Sequence, residues 1–86
     1  MEDGSEITRE VIFQVIENQI RENDPPITKE TYDRLRTDGY THDEVMKLIG
    51  CALSVELFEI MKNREPFNAQ RYATNLMGLP ELPWEE

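Results

Sequence analysis

The stretch Thr41-His-Asp-Glu-Val-Met-Lys-Leu-Ile-Gly-Cys-Ala-Leu-Ser-Val-Glu-Leu-Phe-Glu-Ile-Met-Lys-Asn63 decides the fold. Its first four residues form a capping box, in which the Thr41 hydroxyl accepts from the Glu44 amide and the Glu44 side chain reaches back to the Thr41 amide. A helix therefore opens at Thr41, and no proline interrupts it before Pro66. Val45, Met46, Leu48, Ile49, Ala52, Leu53, Val55, Leu57, Phe58, Ile60 and Met61 supply apolar groups around most of its circumference, the pattern of a buried helix. At ~1.5 Å per residue it is about 30 Å long, the width of a small domain, so the rest of the chain is expected to pack around it. One charge stands out of place. Glu56 falls on the apolar arc among Val45, Ile49, Leu53 and Ile60, where it is either satisfied structurally at the edge of the buried face or acts as a functional buried carboxylate.

Working outward, Ser5 is a suitable N-cap for a first helix running to Glu22, with residues 1–4 disordered ahead of it. Val11, Ile12, Val15, Ile16 and Ile20 form its apolar stripe, and Gln19 interrupts that stripe as Glu56 interrupts the central one. The two are expected to face one interface as a buried polar pair, hydrogen-bonded directly or through one water. Pro25 and Pro26 end the first helix. Thr28 is expected to cap a short second helix, with Ile27 stapled onto Tyr32, and Gly39 is expected to stop it in a Schellman ending that folds Tyr40 back on Leu35. Beyond Pro66, Asn68 caps a fourth helix with Phe67 stapled onto Tyr72, and Gly78 ends it. Prolines 80 and 83 leave residues 79–86 as an extended tail, in which Leu82 and Trp84 are expected to cover apolar surface on this domain or a second copy, or to bind a partner. The fold class is all-α: a single domain of residues 1–86 with two long and two short helices. A shift of 40 residues superposes Val15 on Val55, Asn23 on Asn63, Pro26 on Pro66 and Tyr32 on Tyr72, which suggests either an internal duplication or two helix starts obeying the same capping chemistry.

The chain has 86 residues, with 9 Lys and Arg against 18 Asp and Glu, and a net charge of -9. That charge repels phosphate backbones and anionic lipid alike, which argues against nucleic-acid and membrane partners. The single Cys51 excludes an intrachain disulfide framework. No signal-peptide pattern occurs at the N-terminus, and a soluble cytoplasmic protein is expected. His42 and Cys51 supply too few nitrogen and sulfur donors for zinc. A carboxylate cluster of Glu17, Asp43 and Glu44 reads best as a solvated face. No nucleophile and base are spaced for catalysis, and no glycine-rich phosphate loop is present. Neither an enzyme nor a cofactor is expected.

Three segments carry a resemblance: Val15-Ile-Glu-Asn-Gln-Ile20 with Asp24-Pro-Pro26; Arg34-Leu35 and Asp38-Gly-Tyr40 ahead of a helix containing Ile49-Gly50; and Pro66-Phe-Asn68 with Arg71-Tyr72. Over residues 10–80 they resemble the uncharacterised bacterial domain-of-unknown-function 1841 family. The resemblance implies histidines at the positions of Phe13, Asp43 and Lys47, which this chain lacks, and it supplies no activity. Leu35-Arg-Thr-Asp-Gly39-Tyr40-Thr-His-Asp-Glu-Val45 is also similar to the glycine-aromatic loop between the first two helices of ubiquitin-associated domains, which implies an adaptor binding its partner through Gly39 and Tyr40, although the helix that follows here is longer than such a domain uses. The leading expectation is a non-enzymatic helical interaction or regulatory module that forms a homodimer through its central or first helix, because a helix apolar on nearly every side needs more cover than three other helices give in so short a chain. The competing expectation is a metal-binding or carboxylate-based activity centred on Glu17 and Glu56.

Overall fold

In the computed structural model, which describes residues 8–84, the chain forms α1 (Arg9–Glu22), α2 (Pro26–Thr37), α3 (His42–Asn63) and α4 (Ala69–Gly78), with no strand among the described residues. α3 lies against α1, α2 and α4, and α2 touches α1 and α4, whereas the α1 and α4 backbones do not meet. The core consists of Ile16, Leu35, Val45, Met46, Ile49, Ala52, Leu53, Tyr72, Leu76 and Leu79, drawn from all four helices and the first residue of the tail.

Local chemistry sets each boundary. The Thr41 hydroxyl accepts from the Glu44 amide at 3.1 Å and the Glu44 carboxylate from the Thr41 amide at 2.9 Å, so the capping box of α3 is complete. α2 closes on Gly39 at φ 105°, where Gly39 N–H donates to the Arg36 carbonyl and Tyr40 N–H to the Leu35 carbonyl. These are the two bonds of a Schellman ending. At α4, the Asn68 side chain accepts from the Arg71 amide at 2.9 Å, and the Phe67 ring meets Tyr72 edge-on at 5.4 Å.

Two helix starts differ from the sequence reading. α1 begins at Arg9, with the Thr8 hydroxyl accepting from Val11 N–H at 3.2 Å; Ser5 and residues 1–4 lie outside the described residues. α2 begins at Pro26 rather than after Thr28, because proline at the first helical position has no N–H to leave unpaired and its fixed φ suits the helix. Thr28 is thus inside the first turn, buried, with its hydroxyl directed into the core.

α3 is also less covered than its composition suggests. It has 22 residues against 14, 12 and 10 in its neighbours, so its last turns extend past them. Phe58 is 56% exposed, Met61 53% and Ile60 37%. The tail is not one extended strip either. Leu79 is extended and buried, with the Arg34 guanidinium donating to the Leu76 and Leu79 carbonyls at 3.0 and 2.9 Å. A turn closed by Glu81 N–H on the Gly78 carbonyl follows, and the path ends on an exposed Trp84.

Candidate functional site

Glu56 and Gln19 are both drawn into the protein, but they do not pair with each other. The Gln19 side-chain oxygen accepts from the Thr28 hydroxyl at 2.8 Å and from the Tyr72 hydroxyl at 2.9 Å, joining α1 to α2 and α4. Glu56, fully buried, takes the Arg71 Nε at 2.6 Å and Nη2 at 3.1 Å, and accepts from the Asn68 amide at 2.9 Å. The expected pair is therefore two separate networks, Gln19 with Thr28 and Tyr72, and Glu56 with Asn68 and Arg71. Helix periodicity identifies residues that interrupt an apolar stripe, but the partner depends on how α4 folds back, which periodicity does not encode.

The Glu56 network completes a helix start from outside the helix. In a capping box the third helical residue is Glu or Gln and bonds the amide of the cap residue. Here that residue is Arg71, which cannot accept, and the Glu56 carboxylate from α3 takes the Asn68 amide in its place while Arg71 turns back to hold Glu56. Arginine at that position is the sequence signal for an acid supplied from elsewhere. Burial alone raises the Glu56 carboxyl; the Arg71 hydrogen bonds, the Asn68 amide and the Arg71 charge outweigh it and leave it below its ordinary value of 4.5. The Tyr72 hydroxyl is pushed up by burial, opposed by the neighbouring Thr28 hydroxyl and reinforced by the Glu56 charge. No buried side-chain polar atom among the described residues lacks a partner.

Glu17 is exposed and lines a shallow cleft with Arg9, Glu10, Phe13 and Gln14, all on α1, so it shares no site with Glu56. Asp43 bonds Lys47 at 3.1 Å, and Glu44 is used in the α3 cap. His42 Nδ1 lies 2.7 Å from the Tyr32 hydroxyl. Among the described residues no three His, Cys, Asp or Glu side chains are placed to hold a metal ion. Phe13, Asp43 and Lys47 nevertheless meet in one place: Phe13 and Lys47 line one cleft, and Asp43 pairs with both Lys47 and Arg9, whose guanidinium sits 5.3 Å from the Phe13 ring.

The expected partner-binding residues are scattered. Gly39 is exposed at the foot of α2, and Tyr40 is half-buried beside Glu44, Lys47 and Leu48 around an open cleft. Leu82 is half-buried, while Trp84 is 61% exposed and forms one wall of the cleft between α1 and α3. What the sequence reading did not single out is the exposure of Phe58, Ile60 and Met61 in the last turns of α3 and of Phe67, 43% exposed, in the loop that follows. Every residue from 60 to 70 is exposed. The signal was the length of α3 against its neighbours. No helix among the described residues is long and apolar enough to cross a membrane. Compared with family models, with curated proteins and with solved structures, the chain matches none.

Proposed function

We propose that the chain is a non-enzymatic helical protein-interaction module that self-associates through the projecting end of α3. The observation that carries this reading is the exposure of Phe58, Ile60, Met61 and Phe67 within ten residues of sequence, over the last turns of α3 and the connection that follows. Phe58 and Met61 stand three residues apart on one face of α3, and an exposed apolar face is where an interaction surface is expected. The charges beside them balance. Glu59 and Glu65 stand against Lys62 and Arg64, so this end is locally neutral in a chain of net charge -9. A locally neutral apolar end suits a second copy, whose own net charge opposes association only at longer range.

Light scattering coupled to size exclusion tests the reading at micromolar concentration. A dimer is expected, and Phe58→Glu with Met61→Glu should return it to a monomer near 10.1 kDa with unchanged helical circular dichroism. Added salt should strengthen the dimer by screening the net charge, whereas association with a basic partner would weaken. A wild-type chain that stays monomeric overturns self-association.

A further inference from the structure

We propose that the cleft between α1 and α3 binds a small amphipathic anion, a flat apolar body carrying one carboxylate. Phe13 and Trp84 supply aromatic walls, and Ile12, Gly50 and Cys51 supply apolar surface between them. The cleft has a volume of about 350 Å³, the lower end of the range for small-molecule sites. Gly50 helps to create it. A Cβ at that position would stand 3.3 Å from Ile12 Cγ2, so glycine lets α1 approach α3 closely while leaving no side chain of its own in the space.

The charge at the rim gives the sign of the ligand. Arg9 and Lys47 both line the cleft, and both answer to the single carboxylate of Asp43, Lys47 at 3.1 Å and Arg9 at 3.7 Å. The charged side chains that line the cleft itself are both cations, with Asp43 beside them, in a chain that is otherwise strongly acidic. Lys47, hydrogen-bonded to Asp43, holds that carboxyl below its ordinary value with further help from the Arg9 charge. Arg9 is the better clamp for an incoming carboxylate. Its separation from Asp43 is beyond hydrogen-bond reach, and its planar donor fork lies over the Phe13 ring, beside the apolar wall where the body of the ligand would rest. The Cys51 thiol, pushed up by burial, remains neutral and adds no charge to the apolar surface.

The probe is naphthalene-2-carboxylate, titrated into the full chain and followed by the emission of Trp84, the only tryptophan, and by amide chemical shifts. Saturable binding is expected, with shifts at Phe13, Gly50, Cys51 and the Trp84 indole. Naphthalene-2-carboxamide, the neutral isostere, should bind about tenfold or more weakly, a difference of about 1.4 kcal/mol. Arg9→Gln should reduce the carboxylate to the affinity of the carboxamide and leave the carboxamide unchanged; Arg9 is exposed, so the fold should survive the change. The same titration on the Phe58→Glu, Met61→Glu chain should give the same affinity, which separates this site from the self-association surface. Equal affinity for acid and amide, shifts centred on 58–67 instead of the cleft, or no saturation at about 5 mM would each overturn the proposal.

Discussion

Glu56 keeps a full charge in the core because three donors meet its two oxygens, and removing it has consequences that can be ordered in advance. Glu56→Ala should cost about 1 to 3 kcal/mol, at the modest end for a broken buried ion pair because Arg71 retains access to water. Glu56→Gln should cost less, since its amide oxygen still accepts from Asn68. Changing Gln19 and Glu56 together should give the sum of the single effects, because they belong to separate networks; a coupling energy above about 0.5 kcal/mol in denaturant melts would contradict this. The lowered pKa of Glu56 also fixes a pH dependence. The folded carboxyl gives up its charge at lower pH than the unfolded one, so its contribution is fully present above the ordinary value of 4.5 and disappears as pH falls through the folded value. Thermal melts from pH 6 down to about pH 3 should therefore fall less steeply for Glu56→Gln than for the native chain. Position 56 was legible as an anomaly from helical spacing alone. Its partners were not, because Arg71 and Asn68 reach it only through the return of α4, fifteen and twelve residues along the chain.

Among the elements, those governed by local chemistry were the most legible: the span of α3, the Schellman ending at Gly39 and the cap at Asn68 follow from residues within a few positions of one another. Gly39→Ala should cost about 1 kcal/mol in chemical denaturation, since only the strain of a left-handed alanine is added and open space surrounds the position. The start of α2 was misread because Thr28 looks like a cap until Pro26 before it is counted as the first helical residue. Thr28→Val tests its actual role. It should destabilise by about 1 kcal/mol through loss of the bond to Gln19, whereas loss of a cap would shorten α2 and show as reduced helicity. The repeat at 40 residues fares less well as a structural description. Tyr72 is fully buried and bonds Gln19, whereas Tyr32 is half-exposed and bonds His42, and the left-handed residue after the long helix is Asn23 in one half and Arg64 in the other.

At the scale of the molecule, composition and periodicity made the all-α class legible, while the exposed end of α3 was hidden because apolar content does not say how far neighbouring helices reach. The tail divides at Leu79. Ending the chain at Gly78 instead of after Leu79 removes a buried leucine and an acceptor of Arg34, and this step should cost about 2 kcal/mol in thermal melts of the two shortened chains. Trp84 emission should lie near that of a largely hydrated indole in both the dimer and the Phe58→Glu, Met61→Glu monomer. Because Arg9 and Trp84 line the same cleft, the two ends of the described chain are neighbours in space. A short flexible linker joining Thr8 to Trp84 would therefore close the described fold into a ring without stretching it. The ring could be reopened in the exposed connection between α3 and α4, giving a permuted order of helices in which α4 leads and α3 comes last.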